Sequence, residues 1–320
     1  MRYNGIDLLR GIAAFGIVGC HLSLPDRTDA GCLVTALCDF NVGLFAAIAG
    51  FLMSGVKGWG AFWNYVRKRI GRLLPSYIVW SFVFLMMIIV FDLVLDGGRI
   101  NPRYYTAKFW IHSIFWGGSA AHLWFLPCLF YAQVLTSVAF GVFNDSKYGI
   151  LWVFVGWGVM YAGVRLNNWY GTYPARLLAF LATGYGFGLL TKNRLEGLRS
   201  HSPFLLAVAV AALVFHVCIR GNIPGFYRDW LVVGPVLIAF AVLDFRSERI
   251  KSIASILGVT SMGVYLIHPL FTRVLSVAVS KCIPAPYTAT VVLSEWFLAW
   301  LGSIVAVSFI RGRPFVKRIV

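Results

Sequence analysis

LLPSYIVWSFVFLMMIIVFDLVL, residues 73–95, holds one charged side chain, Asp92, in its whole length. A bilayer core of about 30 Å is crossed by roughly 20 apolar residues in a helix, so this stretch reads as a membrane span. PFLLAVAVAALVFHVCIR at 203–220 has the same character, its only charge being the terminal Arg220. Working outward from these two, apolar runs bounded by polar, Gly or Pro residues fall near 5–24, 38–56, 121–143, 148–165, 174–191, 227–245, 252–276 and 287–310. Ten such segments with their loops fill a chain of 320 residues. The pattern predicts an all-α, polytopic membrane protein with about ten transmembrane helices, in one domain over residues 1–320 and with no soluble domain.

Composition agrees. Hydrophobic residues make up 59% of the chain and charged residues 12%, against about 25% charged in an ordinary soluble domain. That argues against a soluble enzyme. The 28 Lys and Arg outnumber the 12 Asp and Glu, for a net charge of +16, which in a soluble protein would point to nucleic acid. Sorting the cations by alternate loops gives a different answer. With the N-terminus in the cytoplasm, seventeen fall on that side, ten on the other, and Arg10 lies within the first helix. The excess therefore follows the positive-inside rule, both termini are expected in the cytoplasm, and a nucleic-acid partner is rejected. A cleaved signal peptide is also rejected, because Asp7 and Arg10 interrupt what should be an uncharged core. Six scattered cysteines form no CxxC pair, so neither zinc nor a redox dithiol is expected.

Ionisable groups inside spans are costly and usually face the protein interior. The first helix has Asp7, Arg10 and His21 in DLLRGIAAFGIVGCH. Eleven residues at 100° each bring His21 to within about 20° of the direction of Arg10, about 16 Å further along the axis. Read singly, Arg10 is an anchor paired with Asp7 and His21 an interfacial histidine. Together they form a stripe joining the two membrane sides, with Ala14 and Ile17 between them, and His21 is the natural proton acceptor. Gly16, Gly19 and Cys20 on other faces would let neighbours approach closely, which makes this helix central.

Between the second and third spans, KGWGAFWNYVRKRIGRLLP carries Arg69 and Arg72 three residues apart. On a helix they would share a face and could grip two phosphates; the competing reading is topogenic charge. HLWFLP at 122–127 opens the fourth span, and SMGVYLIHP at 261–269 places Tyr265 and His268 one turn apart in the ninth. Asp39 and Glu295 are the acids nearest the outer ends of spans and the candidates to orient His21. Tyr104, Tyr105, Phe109, Trp110, His112 and Trp116, in the outward segment 96–120, read as an aromatic belt, with a platform for a sugar ring as the alternative. There is no P-loop, GxGxxG, GxSxG or HExxH.

Arg10 with His21 eleven residues on, the RxxR of Arg69 and Arg72, Trp124 of HLWFLP, and Tyr265 and His268 of YLIH together resemble the acyltransferase-3 family of integral membrane O-acyltransferases. LFAAIAGFL departs from the family's second-helix pattern: Phe45, Gly50 and Phe51 remain, Ala46 and Ala49 stand for its second Phe and its Ser, and Ser54 is the nearest serine. The resemblance implies an O-acetyltransferase of the bacterial cytoplasmic (inner) membrane. Its acyl donor would be acetyl-CoA or another acyl-CoA, bound by Arg10, Arg69 and Arg72, and no metal is implied. His21 would be the catalytic base, and Trp124, Tyr265 and His268 would bind a glycan or lipid-linked sugar acceptor on the outer side. The lipid bilayer is the expected surrounding partner, with homo-oligomerisation left open. The main competing class is a transporter or flippase of a polysaccharide intermediate, disfavoured by the lack of an inverted repeat and by a basic cluster confined to one loop. A purely structural membrane protein leaves the Arg10–His21 stripe without a task.

Overall fold

A computed structural model describes residues 3–22, 29–56, 58–95, 106–115, 122–142, 146–166, 169–219, 225–283 and 287–313. Each of the ten apolar runs becomes helical, and the described residues contain no strand. The helices are α1 (Asn4–Cys20), α2 (Asp29–Cys38), α3 (Asn41–Met53), α4 (Gly58–Leu95), α5 (Ala107–Phe115), α6 (Phe125–Val142), α7 (Ser146–Leu166), α8 (Trp169–Thr191), α9 (Leu195–Arg199), α10 (Ser202–Cys218), α11 (Gly225–Val242), α12 (Glu248–Cys282) and α13 (Ala289–Arg311). Four helical segments, Leu33–Met53, Gly58–Val90, Glu248–Cys282 and Ala289–Arg311, are long and apolar enough to cross a bilayer, and three shorter apolar helices accompany them. This is the build of a multi-pass membrane protein.

Two boundaries differ from the sequence reading. The second apolar segment, 38–56, is α3, and a break at Asp39 and Phe40 separates it from α2, a further helix that precedes the run. Asn41 stabilises the break, its side-chain amide donating to Cys38 O at 2.9 Å and Leu37 O at 3.3 Å, which satisfies carbonyls that the end of α2 leaves open. The third segment begins at Gly58, so the RxxR pair lies on the same continuous helix as the span. Phe62, Val66, Leu73 and Tyr77, at spacings of four, seven and four, are buried along one side and supply the apolar face that the loop reading overlooked. Pro75 removes one rung of the α4 ladder, and Ser76 donates its hydroxyl to Arg72 O at 3.1 Å beside it. Of the aromatic segment, Tyr104, Tyr105 and Trp116 lie outside the described residues. The short α5 carries Phe109, Trp110 and His112, with Trp110 exposed.

α1 packs against α2, α3, α11, α12 and α13. Ile6, Leu9, Ala13, Ala14, Ile17 and Val18 are all buried, as the small-residue faces of this helix implied. The closest helix pair is α3 with α8. A Cβ on Gly184 would collide with the Ala47 carbonyl, and one on Gly50 with the Leu181 carbonyl. Backbones touch here because lipid gives helices no hydrophobic incentive to associate, leaving close packing to do it.

Gly184→Ala is expected to cost about 1–3 kcal/mol through overpacking, read as a lower unfolding temperature in detergent. Gly158→Ala, at a position where an added Cβ meets nothing within 4 Å, should leave that temperature unchanged or raised.

Candidate active site

His21 follows the last residue of α1, its backbone N–H reaching back to Val18 O at 3.1 Å. Two more histidines meet it there. The His268 ring of α12 lies 5.0 Å from it, centroid to centroid, and the His122 ring, from the turn before α6, lies 6.2 Å away. His122 and His268 are 5.4 Å apart. Phe84 of α4 stands edge-on to His122 at 4.9 Å, and Phe125 packs on Tyr265 at 5.2 Å, so the cluster has an apolar wall.

Backbone carbonyls fix two of the three imidazoles. In YLIHP, Pro269 has no N–H to give the Tyr265 carbonyl four residues back, and His268 Nδ1 takes that carbonyl at 2.8 Å and Val264 O at 3.2 Å. A carbonyl only accepts, so Nδ1 carries the proton and Nε2 keeps its lone pair. That Nε2 is buried without a hydrogen-bond partner among the described residues. His122 Nε2 donates to Leu266 O at 3.3 Å, leaving its Nδ1 lone pair open. The Tyr265 hydroxyl donates to the backbone carbonyl of His122, tying the turn to α12. Among the described residues no group of three His, Cys, Asp or Glu side chains is arranged to hold a metal ion.

His122 is the residue that sequence reasoning passed over. Its motif, HLWFLP, also holds the candidate Trp124, which is half-buried and edge-on to Phe125 at 6.2 Å. An imidazole at the mouth of an apolar segment was the available signal.

The two acids proposed to orient His21 have different surroundings. Asp39 receives the Arg228 guanidinium at 2.9 Å. Arg228 neighbours Asp229, which pairs with Arg176 of α8, and His216 of α10 spans from Ala36 O at 3.0 Å to Arg228 O at 3.4 Å. Glu295 of α13 is buried, and its Oε1 has no hydrogen-bond partner among the described residues. Its neighbour Trp296 stacks on Phe15 at 4.2 Å and donates its indole N–H to Phe15 O at 2.7 Å.

At the other end of α1, Arg10 pairs with Asp7 at 3.7 Å. Asp7 lies flat against α12, so close that a Cβ on Gly258 would come within 2.7 Å of it. The next residue, Val259, gives its carbonyl to Arg311 Nη1 at 2.8 Å. The Arg311 charge in turn acts on Arg72, as does that of Arg69. Arg69 lies over the Tyr65 ring at 4.9 Å. The sequence groups Arg311 with topogenic charges; the structure ties it to α12 at Val259, where its charge acts on Arg72. Ser54 turns its hydroxyl onto Phe51 O at 2.7 Å, closing the end of α3. Lys192 reaches Leu52 O at 3.5 Å over the Phe51 ring, and burial pulls its ammonium down to about 8, which leaves it mostly protonated at pH 7.

One helix thus carries a guanidinium toward one end and an imidazole at the other, and two further imidazoles from other elements join the second. The model of the acyltransferase-3 family, described as an acyltransferase domain, matches residues 3–310, and the chain belongs to that family. No curated protein and no solved structure matches it. The fold and the family together define a membrane acyltransferase.

Tyr265→Phe leaves the buried His122 carbonyl without its donor. A loss of about 1–3 kcal/mol is expected, measured by thermal unfolding, together with a lower acyl-transfer rate.

Proposed function

We propose that this protein is an O-acetyltransferase that moves an acetyl group from cytoplasmic acetyl-CoA to a sugar hydroxyl on the outer side of a bacterial cytoplasmic membrane. The acceptor is a surface glycan or a lipid-linked sugar. The reading includes about ten spans with both termini in the cytoplasm. The observation that carries it is the meeting of His21, His122 and His268, 5.0 to 6.2 Å apart, at the opposite end of α1 from Arg10.

In this reading Arg69, Arg72 and Arg311 hold the phosphates of the donor, since guanidinium forks match phosphate oxygens. Arg10, paired with Asp7, is a further candidate for the donor's phosphates. The thioester is delivered to the histidine end. There His21 takes the proton of the acceptor hydroxyl as its oxygen attacks the thioester carbonyl. The C–S bond breaks, and the departing thiolate recovers the proton from the imidazolium. His268, with Nδ1–H committed to a carbonyl, presents a lone pair toward the same space and serves to orient His21 or the acceptor hydroxyl. Tyr265 acts through His122 as a positioning residue. Trp124 remains a candidate wall for the sugar.

His21→Ala should lower acetyl transfer by about 10²- to 10⁴-fold, the usual contribution of a general base, with CoA affinity near that of the wild type. The Arg69→Ala/Arg72→Ala pair should do the reverse first, weakening CoA binding at least tenfold as measured by calorimetry in detergent. Full activity in His21→Ala, or equal affinities in the arginine variant, would remove the corresponding role. NMR of surface glycan from cells with and without the protein decides between enzyme and exporter. Loss of O-acetyl signals on intact glycan is expected, whereas loss of the glycan itself would favour the transporter.

A further inference from the structure

The thiols of Cys20 and Cys38 meet at the His21 end of α1, hydrogen-bonded to each other. Eighteen positions separate them in the chain, a spacing that no CxxC pattern signals. Each is the last residue of its helix, Cys20 of α1 and Cys38 of α2. Their meeting is built by the residues around them. Gly19 has no side chain, and a Cβ there would come within 2.6 Å of Cys38 Sγ and 2.8 Å of the Trp296 ring. The Cys38 sulfur therefore occupies space that the glycine leaves open. Asn41 donates to the Cys38 carbonyl at 2.9 Å across the α2–α3 break. The carboxylates of Asp39 and Asp229, paired with Arg228 and Arg176, lie close enough for their charges to act on Cys20.

Exposure separates the two thiols. Cys38 is 0% exposed, whereas Cys20 is only partly buried, so a small disulfide reaches Cys20 first. The Cys20 thiol gives up its proton, its sulfur attacks the disulfide RSSR, and one RSH departs from a mixed disulfide on Cys20. Cys38, already in contact, loses its proton and attacks the Cys20 sulfur, and a second RSH departs. Two thiols are thereby oxidised by two electrons, and RSSR is reduced to two RSH. Helix ends are where the backbone yields most easily, which lets the two sulfurs close from hydrogen-bonding contact to the bonded separation of about 2 Å.

We propose that Cys20 and Cys38 are a redox-active pair that closes to a disulfide, pinning to α2 the last turn of α1, which leads directly into His21. Disulfides persist outside the cytoplasm, while cytoplasmic thiols stay reduced. The bond in cells therefore rests on the reading that the His21 end faces outward. The chemistry of the pair does not.

The test uses the full chain, first in cells whose thiols are trapped with N-ethylmaleimide before lysis, then purified in detergent with glutathione disulfide as the probe. Trypsin cuts after Arg10, Arg27 and Lys57, so the bond joins peptide 11–27 to peptide 28–57. The second peptide also holds Cys32. The joined pair is expected from the wild type and from Cys32→Ser, and it should be lost in Cys20→Ser and in Cys38→Ser. A phosphine reductant should lower the unfolding temperature of the oxidised wild type and leave that of Cys38→Ser unchanged, because a bridge across this loop restrains the unfolded chain. If the joined pair is absent from cells yet forms with glutathione disulfide, the thiol pair stands and the outward placement of the His21 end fails. If it forms in neither setting, or persists in Cys38→Ser, the pair itself is overturned.

Discussion

Everything at this site depends on how α1 lies against α12. At one end Gly258 lets Asp7 sit against the α12 backbone, which holds Arg10 in place through their ion pair. At the other end the same two helices bring His21 and His268 to within 5.0 Å. A bulkier residue at 258 would push the helices apart and separate both pairs at once. Both helices carry polar groups that hydropathy alone counts against them, and those groups face inward: in a bilayer, a polar side chain needs the protein interior.

The polar atoms near the histidines illustrate how such an interior is satisfied. Proline is costly in a helix because it leaves a carbonyl open. At 269 the open carbonyl is the one that His268 uses, so the break in the ladder and the tautomer of the imidazole have one cause. Nearby, two arginines and two aspartates, Arg176, Arg228, Asp39 and Asp229, join α8 and α11 to the α2–α3 break. Such buried pairs add little net stability, yet removing one member strands its partner at about 3–5 kcal/mol. They fix the register of three elements around the His21 end of α1.

Much of this was legible in the sequence. Every apolar run proved helical, and helical periodicity put Arg10 with His21, Arg69 with Arg72, and Tyr265 with His268 on common faces. Periodicity describes one helix at a time, however. It has no information on which turns meet, so His122, which comes from the turn before α6, and Arg311, at the far end of α13, joined their clusters only through tertiary packing. α2 was hidden because its ten residues, DAGCLVTALC, are too few and too mixed to stand out as an apolar run. The early start of α4 was hidden because its cations mask a buried stripe of Phe62, Val66 and Leu73.

α4 is 38 residues long, about 57 Å at 1.5 Å per residue, far more than a bilayer core of about 30 Å. It carries Arg69 and Arg72 on one segment and Phe84, against His122, on another. The interval between the basic end and the imidazole end is therefore set by covalent helix geometry, independent of the thickness of the surrounding lipid. The helix acts as a ruler, holding its basic segment and the segment that meets His122 at a fixed separation.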